Sequence, residues 1–247
     1  MPIHLVDGAM NIRRTMLNWT DFYSALEEIE KFYKHPKNLD GEQDPEGKDY
    51  DKVYFTRFMP EFNDWHTGHA KNLRDRTHCR TAVEAGCGVG NITRGLIKVG
   101  VDAYGFDISH YVVDSCPPEL EGKLLWGDVL RKETLPDRKF DLVIAYDLLE
   151  HVPTPEQSVR NLCSLSSRWM HIKVPDIRGL DPEESRKFDP THITGRSIRW
   201  WIDEFGKNGF LLAFDEAFTK LKWDSEYAYA AVGAPDLYGL FRKVKYR

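Results

Sequence analysis

Val83-Glu84-Ala85-Gly86-Cys87-Gly88-Val89-Gly90-Asn91 is the stretch that decides how this chain folds. A short apolar run beginning at Thr81 passes into three alternating glycines and then into Asn91-Ile92-Thr93, where helical spacing starts. Glycine at the end of a strand lets the turn reach positive φ and lets backbone N–H groups approach a ligand with no Cβ in the way. Taken alone, the same pattern also describes a tight strand-to-helix turn that binds nothing. Its surroundings choose between the two.

Seventeen positions beyond Gly90, a second apolar run, Ala103-Tyr104-Gly105-Phe106, ends in Asp107. A carboxylate there can accept hydrogen bonds from both hydroxyls of a ribose, because neighbouring parallel strands deliver their carboxyl ends to one crevice. A third run ends in Gly127-Asp128-Val129, and a fourth, Phe140 to Ala145, leads into Tyr146-Asp147-Leu148-Leu149-Glu150-His151-Val152-Pro153. Apolar runs continue at 169–175, 209–217 and 238–244, with helical patterns after Asn91, Tyr111, Glu156 and Ser197. Short strands alternating with helices predict an α/β fold, a doubly wound and mostly parallel sheet.

Upstream of Thr81 the texture differs. Trp19, Phe22, Tyr23, Leu26, Ile29 and Phe32 recur at helical spacing, and a polar Gly-, Pro- and Asp-rich linker follows. An aromatic segment through Tyr54, Phe55, Phe58, Phe62 and Trp65 then precedes a basic helix, HAKNLRDR. The expected organisation is an N-terminal helical cap over 1–75 and a catalytic domain over 76–247. The length of 247 residues suits that plan.

A net charge of −5 offers no global positive field for a polyanion, so nucleic acid is not the expected partner. Cys79, Cys87, Cys116 and Cys163 are scattered with no CxxC pair, which argues against a zinc knuckle or disulfide framework and for a reducing, cytoplasmic setting. The amino terminus has no apolar signal region, and no later stretch approaches the roughly 20 apolar residues that span a bilayer. No membrane contact is expected.

In EAGCGVGN, the acidic Asp107 of GFDIS, GDV and FDLVIAYDLLEHVP, the chain resembles the Class I S-adenosylmethionine-dependent methyltransferases, particularly the ubiquinone-biosynthesis O-methyltransferase-like group. The resemblance covers roughly residues 75 to 245. It implies a Rossmann-like seven-stranded sheet whose last strand is antiparallel. It also implies a cofactor site in which Gly86, Cys87 and Gly88 approach the methionine end, with Glu84 and Gly90 among the cofactor-binding residues. Asp107 would hold the ribose and Asp128 and Val129 border the adenine, with Ile108 and Tyr146 also among the cofactor-binding residues. An NAD-dependent oxidoreductase would instead want G-x-G-x-x-G, and here the third glycine's place is taken by Asn91.

Methyl transfer from a sulfonium needs alignment of the acceptor and, for a hydroxyl, removal of its proton. Histidine titrates in the right range for that. His151 follows the fourth strand, where the resemblance places the transferred methyl, although a histidine capping that loop is an equal reading. His192, in Phe188-Asp189-Pro190-Thr191-His192, is a second candidate, with Asp189 positioned to orient its ring. His66 and His69 are candidates for lining an acceptor pocket from the cap, set against plain core packing.

Asp147, Glu150, His151 and His192 are also similar to the Glu-x-x-Glu-His plus His set with which small-RNA 2′-O-methyltransferases bind a divalent metal. Asp147 departs from that pattern with a shorter arm, and a metal is not the favoured expectation. The reading is thus a methyltransferase that converts S-adenosylmethionine to S-adenosylhomocysteine while methylating a small-molecule acceptor, foremost a hydroxyl oxygen. N-methylation, a sugar or nucleic-acid terminus, and a non-catalytic cofactor-binding regulator remain as alternatives.

Overall fold

The computed structural model describes residues 4–6, 9–11, 50–175, 191–213 and 236–244. The helical pattern around 18–33 and the linker after it lie outside these residues. A small antiparallel hairpin, β1 (His4–Val6) and β2 (Ala9–Asn11), comes first. The main sheet is built from β3 (Thr81–Ala85), β4 (Asp102–Asp107), β5 (Leu124–Trp126), β6 (Phe140–Tyr146), β7 (Ser166–Pro175), β8 (Phe210–Leu212) and β9 (Asp236–Lys243). Their order is β5-β4-β3-β6-β7-β9-β8. The first five pair in parallel, and β9 runs antiparallel between β7 and β8. This is the expected seven-stranded sheet with its last strand reversed.

β3 and β6 read as nearly continuous apolar runs because both faces of the sheet are covered. The alternation of side chains sends Val83, Val143 and Ala145 to one face, against α5 (Pro155–Leu165) and α6 (Ile198–Lys207). Trp201 and Phe205 of α6 fill that layer. Ala82, Leu142 and Ile144 face the other way, onto Ala70 and Leu73 of α2 (Asp64–Thr77) and Ile92 and Leu96 of α3 (Asn91–Lys98). β3 pairs with both β4 and β6, so the chain leaves it in one direction and returns on the other side. At such a switch point the flanking connections diverge and leave a crevice at the carboxyl ends of the strands.

Two short helices complete the site's surroundings, α1 (Lys52–Phe58) and α4 (His110–Asp114). α2 is longer than the basic stretch suggested. Its start is fixed by Asn63, whose side chain accepts from the Trp65 N–H at 3.0 Å, while His66 Nδ1 accepts from the Asn63 N–H at 3.1 Å. That is a capping box with histidine where Glu or Gln usually stands. The expected cap boundary at 75 therefore falls inside α2, which ends at His78 in the left-handed conformation.

α2 lies on α3 at Gly95, where an added Cβ would stand 2.6 Å from the His66 carbonyl oxygen. That neighbour is backbone and cannot yield cheaply. Gly95→Ala is expected to cost about 1–3 kcal/mol, the usual range for overpacking. Gly206→Ala in α6, which has nothing within 4 Å, is expected to be neutral or slightly stabilising. Thermal melts of the two variants side by side check the contrast, and equal melting temperatures would refute the close approach.

Candidate active site

Gly86, Gly88 and Gly90 all have positive φ, at 65°, 49° and 78°. The turn is tied to β4 by Gly86 and Cys87 N–H groups donating to the Phe106 carbonyl at 2.9 and 3.1 Å. Cys87 contributes backbone to the crevice, while its side chain turns inward. A Cβ on Gly105 would lie 2.7 Å from the Cys87 sulfur, so β4 needs glycine there for the turn to sit against it.

Asp107 closes β4 and is buried. One carboxylate oxygen accepts from the Gly88 N–H and the other from the Ser109 N–H, each at 2.9 Å. Burial raises its pKa, and these N–H groups pull the other way. The Asp107 carbonyl accepts from the Gly127 N–H at 2.9 Å, joining the end of β4 to the end of β5. Asp128 accepts from the Leu130 N–H at 2.8 Å, and the Val129 carbonyl accepts from Asn161 Nδ2 at 2.8 Å. The Ile108 carbonyl accepts from the Trp126 indole at 2.8 Å. The strand-end residues expected to meet ribose and adenine thus converge on one rim. Glu84 serves the turn from behind, accepting from the Thr93 N–H at 2.8 Å and its hydroxyl at 2.6 Å.

The fourth strand end divides its residues among different tasks. Tyr146 hydroxyl sits between His69 Nε2, at 2.8 Å, and His171 Nδ1. That hydroxyl therefore serves the α2 face of the sheet, and His69, stacked on Trp65 with ring centroids 5.0 Å apart, belongs to the packing of α2. Asp147 is drawn away by Lys173 at 2.7 Å. The four-member metal set does not assemble for that reason. Among the described residues one group, Glu150, His151 and His192, places a ligand atom from each within 4.8 Å of the others. Leu148 packs on the turn, since a Cβ on Gly86 would lie 3.0 Å from its Cδ1.

His151 and His192 meet as expected, with ring centroids 4.8 Å apart. The Ile193 and Thr194 N–H groups both donate to the Glu150 carbonyl at 2.9 Å, which stitches the second loop onto the first. His151 Nδ1 lies 2.9 Å from the Thr191 hydroxyl and 3.2 Å from its carbonyl oxygen. A hydrogen on Nδ1 directed at that carbonyl puts the lone pair on Nε2. Asp189 lies outside the described residues. Composition and motif did not flag Tyr50, Ser109 or Thr191, which bond through common groups with no spacing signature.

The sheet order and its reversed last strand are those of the Rossmann-like methyltransferase fold. Residues 83–165 match a family model described as a methyltransferase domain. The magnesium-protoporphyrin O-methyltransferase of Synechocystis is 35% identical over 146 residues, covering 53% of this chain and 62% of that protein. A ubiquinone biosynthesis O-methyltransferase of Methylococcus capsulatus is 31% identical over 137 residues, covering 53% of each. The chain thus spans between about half and three-fifths of these curated relatives. Among solved structures, magnesium protoporphyrin IX methyltransferase from Synechocystis with bound SAH superposes with a TM-score of 0.52 at 18% identity, over 79% of this chain and 96% of that one. An S-adenosylmethionine-dependent methyltransferase from Clostridium acetobutylicum gives 0.55 at 9% identity, over 77% and 96%. These structural likenesses establish the fold.

Two buried groups give the site opposite pH dependences. Burial pushes Glu84 up to about 7 from 4.5, so the folded state keeps a proton that the unfolded state releases, and stability falls as pH rises across that window. Burial, aided by His66, pushes His69 down to about 4 from 6.5, so stability falls as pH drops across its window. Between pH 4.5 and 6.5 the two slopes oppose each other. Glu84→Gln removes one of them, so the stability difference between wild type and variant should change by about 3 kcal/mol between pH 7 and pH 4.5. Neutral glutamine matches the protonated acid, so the variant gains stability relative to wild type as the pH rises through that window. Urea unfolding at both pH values measures this, and parallel curves would contradict it.

Proposed function

We propose that this chain transfers the methyl group of S-adenosylmethionine to a hydroxyl oxygen of a small-molecule acceptor. The carrying observation is the convergence of the Gly86–Gly88 turn, Asp107 and Asp128 on one rim, with the His151–His192 pair joined to it through Leu148. Each Asp107 oxygen already takes one backbone N–H. A carboxylate oxygen accepts from more than one direction, which leaves Asp107 capacity to accept from a ribose hydroxyl. The relatives named above act on oxygen, which supports the same atom here. All four cysteines are free thiols, in keeping with a cytoplasmic reaction.

In the transfer, the acceptor oxygen forms a bond to the methyl carbon while the carbon–sulfur bond breaks. Its electron pair returns to sulfur, leaving S-adenosylhomocysteine as a neutral thioether. The acceptor's proton goes to a histidine of the His151–His192 pair, His151 receiving it at Nε2 when its Nδ1 hydrogen points to the Thr191 carbonyl. Asp189 would orient His192. Alignment supplies most of the rate, because the donor is already activated.

Calorimetry should show micromolar binding of S-adenosylmethionine and S-adenosylhomocysteine. Asp107→Ala should weaken it about ten- to a hundredfold, since a hydrogen bond to a charged group contributes roughly 1.5–3 kcal/mol. Binding of NAD in place of either ligand would overturn the reading. With a panel of phenolic acceptors, His192→Ala should keep cofactor affinity and lose about 10² to 10⁴ in turnover. EDTA should leave turnover unchanged. Full activity in both His151→Ala and His192→Ala would make the pair structural.

A further inference from the structure

β4 and β5 run side by side until Asp107 meets Trp126 in register, and the Gly127 N–H, donating to the Asp107 carbonyl at 2.9 Å, closes the ladder. Beyond that point the two chains part, one into α4 and the other toward Asp128. The half-buried Trp126 bridges the gap with its side chain, its indole N–H donating to the Ile108 carbonyl at 2.8 Å. The His110 ring lies parallel to the indole, at 9° with centroids 5.4 Å apart. Residues 107 to 110 are thus held from β5 by main chain first and by one tryptophan after it.

The bond matters because of what stands at the other end of the same peptide group. The Ile108 carbonyl and the Ser109 N–H belong to one planar unit and point in opposite directions. The Ser109 N–H donates to Asp107 at 2.9 Å, so the unit is gripped at its oxygen by Trp126 and at its hydrogen by the carboxylate. Rotating this plane strains both bonds together. A carbonyl that accepts a hydrogen bond also makes the N–H of its own amide a better donor. The Ser109 hydroxyl is engaged elsewhere, donating to the Tyr50 carbonyl at 2.5 Å, so it is the main-chain N–H that Ser109 offers to Asp107. The other Asp107 oxygen takes the Gly88 N–H at 2.9 Å. With both oxygens placed, the plane of the carboxylate is set, and so are the directions left for a further donor.

We infer that Trp126 is a positioning residue: through the Ile108–Ser109 peptide it holds the Asp107 carboxylate at the angle that receives a ribose hydroxyl of the cofactor. The inference rests on the methyltransferase reading proposed above and adds to it a residue that acts through another. Trp126 thereby tunes affinity for the ribose and leaves the methionine end to the glycine turn.

Calorimetry on the full chain tests this with S-adenosylhomocysteine and its 2′,3′-dideoxy analogue, which lacks both hydroxyls. Wild type should prefer the natural ligand by about ten- to a hundredfold. Trp126→Phe keeps a ring against His110 but has no N–H, and in it that preference should shrink about three- to tenfold, with affinity for the dideoxy analogue held within a factor of about two. Lost packing alone would weaken both ligands alike and leave the preference as it was. Should Trp126→Phe fail to fold, wild type still decides. Coupling is reciprocal, so S-adenosylhomocysteine should slow solvent exchange of the Trp126 indole hydrogen about three- to tenfold, and the dideoxy analogue should not. An unchanged preference in folded Trp126→Phe, or equal slowing by the two ligands, overturns the inference while the methyltransferase reading stands. Wild type that binds both ligands equally removes Asp107 from the ribose and the inference with it. Wild type that binds neither condemns the methyltransferase reading itself, on which the inference depends.

Discussion

The bond between the Gly88 N–H and the Asp107 carboxylate is the constraint on which the rest of the site depends. A turn of three glycines is the most mobile stretch a chain can make, because each glycine surrenders more backbone freedom on folding than any other residue. Asp107 removes that freedom at the middle glycine and, through its second oxygen, fixes the start of the segment after β4. Its carbonyl does the same for β5. One buried residue thus sets the relative position of three strand ends. Burial raises its pKa, and the N–H groups it organises counter only part of that shift.

The opposite side of the sheet uses a different solution to the same problem. β6 must present its end to the crevice while its body is packed between helices. Tyr146 makes that end rigid by placing a hydroxyl between two histidines that burial keeps neutral. A hydroxyl can donate to one ring and accept from another, so both imidazoles are satisfied without a charge entering the interior. Trp65 stacks on one of them, and the sheet is thereby locked to α2. Glu84 is the corresponding group on β3, joining the turn to the first helix that follows it.

Much of this was legible in the sequence, for reasons that can be named. The strands follow from apolar runs, positive φ follows from glycine, and the reversed last strand was what the family resemblance implied. The places of Asp107 and Asp128 at strand ends were legible because each directly follows an apolar run. Tyr146 was harder, since a tyrosine at the rim gives no sign of which way its hydroxyl turns until the two histidines are seen in place. Asp147 was misleading for a related cause: only the fold shows that Lys173, on the neighbouring strand, captures it. Ser109 and Tyr50 left no mark at all, because a serine hydroxyl bonding a main-chain carbonyl is specified by proximity and by nothing in residue type.

Cys87 stands in the middle of the glycine turn, where a reactive sulfur would be exposed to any electrophile entering the crevice. The fold turns it inward, wholly buried against Gly105, and burial together with the nearby Asp107 and Glu84 carboxyls drives its thiol far from ionisation. Thiolate is the form that alkylates and oxidises, so this sulfur is chemically silent. The turn accordingly keeps its shape through redox fluctuation, and covalent thiol-directed inhibitors have no purchase on it despite its address.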